Sequence, residues 1–61
     1  MGRKEFLLWF PNIDSVLIGA KVVAYDRVWG EWLVIEKDGK KYRITAESLE
    51  GAYLAIEEVV E

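Results

Sequence analysis

The sequence predicts an α+β domain: an antiparallel meander of three or four strands with one C-terminal helix packed on one face. Three observations predict it. Asp38-Gly39 stands between two β-forming runs, and a type I′ hairpin turn needs positive φ at both central residues. "RVWGEW" (27–32) places a glycine between two further β-forming runs. "TAESLEGAYLAIEEVVE" (45–61) repeats Leu49, Tyr53, Ile56 and Val60 at helical spacing.

The elements follow in chain order. "KEFLLWF" (4–10) reads as a strand that is apolar on both faces, so both must be covered, within the sheet or at a subunit interface. "PNIDS" (11–15) reads as a turn. "VLIGA" (16–20) either leads into the meander or forms one helical turn after Asp14. The meander strands are expected at 20–28, 31–37 and 40–45.

The two-residue turn sets the register of the second hairpin. Lys37 faces Lys40, Glu36 faces Lys41, Ile35 faces Tyr42, Val34 faces Arg43 and Leu33 faces Ile44. For the first hairpin a three-residue loop, Val28-Trp29-Gly30, gives Gly30 a left-handed role and flanks it with Arg27 and Glu31. Tyr25 then faces Leu33 and Val23 faces Ile35. One sheet face carries Val23, Tyr25, Leu33, Ile35, Tyr42 and Ile44. The other carries Val22, Ala24, Trp32 and Val34, rimmed by charge.

The C-terminal helix is expected to begin at Thr45, a good N-cap, with Glu47 in its first turn. Its apolar stripe would cover the first sheet face. Ser48, Ala52, Ala55 and Val59 would form a second stripe of small residues, with Gly51 near its edge, and Ala52, Ala55 and Val59 offer a second contact.

Composition bounds the chemistry. The chain has 61 residues, 52% hydrophobic and 13% aromatic. A domain this short buries only about 60% of the surface its unfolded chain exposes, so packing or a partner must supply stability. Cysteine and histidine are absent, which removes disulfides, thiolate metal sites, the commonest metal ligand and the usual general base. No run reaches transmembrane length, and Phe6–Phe10 is too short for a signal-peptide core. A cytoplasmic protein with no membrane association is the expectation. Glutamine is absent and Asn12 is the only asparagine, a bias shared with hyperthermophile proteins.

The net charge of −3 is uneven. Glu47, Glu50, Glu57, Glu58 and Glu61 crowd residues 46–61, which hold no base, while all eight bases lie in residues 1–45. Glu57, Glu58 and Glu61 could offer a metal only oxygen ligands at the unfavourable end of a helix dipole, so no metal or other cofactor is expected. Asp26 and Glu31 could be imagined as a carboxylate pair, but charge pairing with Arg27 explains them as well. No phosphate loop, dinucleotide fingerprint or nucleophile elbow is present. The chain is expected not to be an enzyme.

The remaining expectation is an interaction module. Trp32 and Val34 on the second sheet face, with Lys41 and Arg43 beside them, form a candidate binding surface with Trp9 and Trp29 as further anchors. A homodimer is the favoured partner state. A different protein partner, including a basic one docked on the acidic helix, is a second possibility. Weak nucleic-acid binding through Trp32, Lys41 and Arg43 is a third. "GEWLVIEKDGKKYRIT" followed by a helix resembles three-stranded-sheet-plus-helix DNA-binding modules such as integrase arm domains and plant AP2 domains. The resemblance rests on Trp32, the Asp38-Gly39 turn and the strand-to-helix step, and implies that strand residues enter the major groove. The charge departs from that pattern: Arg27, Lys37, Lys40, Lys41 and Arg43 are offset by Asp26, Glu31, Glu36 and Asp38.

Overall fold

The Asp38-Gly39 hairpin is the centre of the fold. In the computed structural model, which describes residues 4–10, 12–48 and 51–60, Asp38 has φ 53° and Gly39 φ 80°. These two positive angles give the turn the twist that flanking strands need. The turn joins β3 (Trp32–Lys37) to β4 (Lys40–Glu47). The register runs Lys37–Lys40, Glu36–Lys41, Ile35–Tyr42, Val34–Arg43 and Leu33–Ile44, as the sequence predicts, and continues to Trp32–Thr45.

This hairpin is flanked by β2 (Lys21–Tyr25) on one side and β5 (Tyr53–Val59) on the other. β1 (Glu5–Phe6) adds antiparallel to β5, pairing Glu5 with Ile56 and Phe6 with Ala55. The result is one five-stranded sheet, ordered β1-β5-β4-β3-β2.

The expected C-terminal helix does not exist, and the fold is a β-sheet rather than an α+β meander with a helix on its face. β4 runs on to Glu47, and β5 pairs antiparallel with it. Gly51 has φ 110°, which no helix interior allows. Tyr53, Ile56 and Val59 favour a pleated strand. As a strand the segment satisfies the edge of β4 and buries Ile56 completely. As a helix it would place its glutamates against the negative end of the dipole. The second stripe disappears with the helix: Ala55 is buried between Thr45 and Phe6 on neighbouring strands. Leu49, Glu50 and Glu61 lie outside the described residues. The resemblance to sheet-plus-helix DNA-binding modules loses its strand-to-helix step, and the acidic helix proposed to meet a basic partner is absent.

The core face is covered instead from the N-terminal side. The expected strand 4–10 is only two residues of strand, followed by a 3₁₀ turn at Leu7–Trp9. The turn lifts the chain off the sheet plane. α1 (Ile13–Leu17) then crosses the face, beginning within the stretch expected as a turn. Pro11 lies outside the described residues. Val16 of α1 joins Ile35, Tyr42 and Ile56 in one buried cluster, with Leu7, Phe10, Leu17, Ala20, Leu33 and Ile44 packed around it. Phe10 meets the Tyr42 ring edge-on at 5.9 Å.

One further correction concerns β2. Tyr25 pairs with Leu33 as expected, but a bulge between Val22 and Ala24 sets Val22, not Val23, opposite Ile35. The extra residue shifts the alternation, so Val22 moves off the face it was assigned to.

Candidate interaction surface

The outer sheet face carries Trp32, Val34, Lys41 and Arg43 together. Val34 and Arg43 are cross-strand partners, as are Trp32 and Thr45 and Glu36 and Lys41. The Arg43 guanidinium lies 5.4 Å from the centre of the Trp32 ring, a cation–π arrangement that leaves Trp32 half-buried. Across the face, Arg43 stands opposite Glu57 on β5, and Lys21 stands opposite Glu36 on β3. Lys4 donates a hydrogen bond to Glu47 at 2.9 Å. The Glu47 carboxylate, by that bond and by its charge, raises the Lys4 ammonium above its usual range. The face is therefore a lattice of alternating charge with one tryptophan under an arginine. It has no stripe of a single sign. Glu57 and Glu58, as consecutive strand residues, point to opposite faces and do not converge on a metal.

Trp9 and Trp29 lie outside the strands that build this face, Trp9 in the 3₁₀ turn after β1 and Trp29 in the β2–β3 loop. Both stand at the end of the sheet marked by Trp32, Thr45, Ala55 and Phe6, where β1 leaves the sheet and the β2–β3 loop turns. Trp9, in the 3₁₀ turn, is 73% exposed and meets Phe6 edge-on at 4.5 Å. Phe6 in turn meets Tyr53 at 4.6 Å. These rings, with Leu7, Leu8 and Leu54, line a hollow of about 340 Å³.

Trp29 is 78% exposed at the loop tip. The loop is organised by a residue whose role the sequence reading missed. Asp26 donates its backbone N–H to the Trp32 carbonyl at 2.9 Å. Its Oδ1 accepts the N–H groups of Val28 (2.9 Å) and Trp29 (3.1 Å), and its Oδ2 accepts that of Glu31 at 3.2 Å. These donors, Trp29 first, hold the Asp26 carboxyl below the usual aspartate range. The expected Arg27–Glu31 flank is replaced: Arg27 lies 5.7 Å from the Tyr25 ring centre, and Glu31 is bound through its backbone. The Asp26 carboxylate faces the backbone of its own loop and not the Arg27 side chain, which lies over Tyr25. The signal for its role was an aspartate just before a turn, the usual setting of a side chain that caps its own loop. Gly30 takes φ 69°, the left-handed conformation expected of it. Trp29 is thus presented on a fixed backbone.

β2 is the least covered element. All five of its residues are exposed, with Val22 at 57% and Tyr25 at 54%. A shallow hollow of about 500 Å³ runs along Val22, Val23, Ala24, Tyr25 and Arg27. Among the described residues, no helix is long and apolar enough to cross a membrane. No family model, curated protein or solved structure matches the chain.

Proposed function

We propose that the chain is a small non-enzymatic interaction module that works by associating with a second copy of itself. One quantity carries this reading. The chain exposes 4871 Å², whereas a monomeric protein of its 7.0 kDa exposes about 4000 Å². Exposed apolar side chains such as Ile18, Val22, Tyr25 and Trp29 contribute to that surface, and they are what a second copy would cover. The core supports it from the other side: among the described residues, fully buried side chains number few, and Ile56 is the one large residue among them. A domain this size with so small a core gains stability by association. The absence of histidine and cysteine supports a role without catalysis, and a cytoplasmic setting suits a chain without disulfides.

The Trp32 face is the weaker candidate for the contact. Trp32 is already half-covered by Arg43, and burying that charge lattice would cost desolvation of every ion on it. Sedimentation equilibrium at micromolar concentration tests the reading. A species of twice the chain mass is expected, and a strictly monomeric one overturns it.

A further inference from the structure

We infer that the outer edge of β2 is the self-association surface, and that two copies pair their β2 strands antiparallel about a two-fold axis to make one continuous sheet. This rests on the self-association proposed above and says where it occurs. Asp26 N–H bonds the Trp32 carbonyl, so the next pair, Tyr25–Leu33, is of the non-hydrogen-bonded kind and Tyr25 turns its own N–H and C=O outward. The Val22–Ile35 pair is of the same kind: Ala46 N–H bonds the Glu31 carbonyl, which makes Trp32–Thr45 non-hydrogen-bonded and Ile35–Tyr42, three pairs on, hydrogen-bonded, so Ile35 turns its backbone groups toward β4. Val22 and Tyr25 therefore both present unpaired backbone groups at the sheet edge.

The bulge selects the occupant. Val22 and Tyr25 are separated by one residue more than a regular strand allows, so a straight foreign strand falls out of step. A second copy running antiparallel carries the same extra residue at the same place. Val22 then meets Tyr25 of the second copy, and Tyr25 meets its Val22, in an isologous contact. Charge agrees with this register. It sets Lys21 opposite Asp26 of the second copy, twice. Beyond the strand it brings the Trp29 tip to the Ile18–Gly19 corner of the copy. Ile18 is 69% and Trp29 78% exposed, so one contact covers both, along with β2.

Isotope-filtered NMR on a mixture of labelled and unlabelled chains tests the placement. Contacts between Val22 methyls and the Tyr25 ring of the other copy are expected. Val22→Lys puts two lysines into the symmetric contact and should weaken association at least about tenfold with unchanged monomer folding. Trp29→Ala should weaken it less. Intermolecular contacts at Trp9 and Leu8, or at Trp32, with full association of Val22→Lys, would overturn the edge while leaving self-association standing. A monomer in sedimentation would overturn both.

Discussion

β5 and β2 occupy equivalent places, one on each side of the central hairpin, yet their fates are opposite. β5 holds Ala55 and Ile56 at 1% and 0% exposure, while no residue of β2 is buried. Hydrophobicity does not separate them, since "KVVAY" is as apolar as "YLAIEEV". The difference is what lies beyond and above each. β5 has β1 along its outer edge and Leu7 and Val16 in the cluster over its inner face. β2 ends the sheet. Apolar residues that do not serve the subunit's own core are the ones available to a partner.

The largest effect that sharpens this contrast is expected at Ile56. Ile56→Ala should cost about 2–5 kcal/mol of folding stability, measured by urea denaturation. Tyr25→Ala, in a solution dilute enough to be monomeric, should cost less than about 1 kcal/mol, because a half-exposed edge residue leaves no cavity. A loss at Tyr25 equal to that at Ile56 would break the comparison. Asp26 comes next. Its folded carboxyl titrates below the unfolded one, so its contribution is complete above the ordinary aspartate value of 3.8. That contribution is lost as the pH falls through the lower folded value. Asp26→Asn should flatten this acid dependence, and a carbon-detected NMR titration should place the wild-type midpoint below that of free aspartate. The smallest effect is expected at Lys4→Met. Its ion pair with Glu47 is solvated, and its raised value makes the contribution present below the ordinary lysine range and lost as the pH rises through the folded one. A thermal melt at neutral pH should barely move.

The hairpin was legible in the sequence residue by residue. Asp38-Gly39 admits one turn type, the turn admits one register, and the alternation about it places Leu33, Ile35, Tyr42 and Ile44 on the core face. Gly30 and the Tyr25–Leu33 pairing were legible for the same reason. The segment after Thr45 was not. Tyr53, Ile56 and Val60 satisfy a helical period, but the free edge of β4 outweighs it by offering a full ladder of hydrogen bonds and complete burial of Ile56. Gly51 was the available sign: expected at the edge of a helical stripe, it takes a φ of 110° just before β5. Of the candidate surface, Trp32, Val34, Lys41 and Arg43 were correctly grouped by strand register. The same register sets Arg43 diagonal to Trp32, close enough to stack on it, whereas the bulge at Val22–Ala24, which moves Val22 to the other face of β2, has no local pattern that announces it.

By itself the sequence determined what short-range stereochemistry can dictate: the type I′ turn, the hairpin around it, the glycine in the tryptophan loop, and the absence of imidazole and thiol chemistry. Only the tertiary structure decided which strand went inside. Burial is a property of neighbours, and the neighbours that β5 has and β2 lacks include residues from 5–17, far away along the chain. That choice left "RVWGEW" divided, with Trp32 tucked under Arg43 and Trp29 held out to solvent by three backbone bonds to Asp26 and its loop.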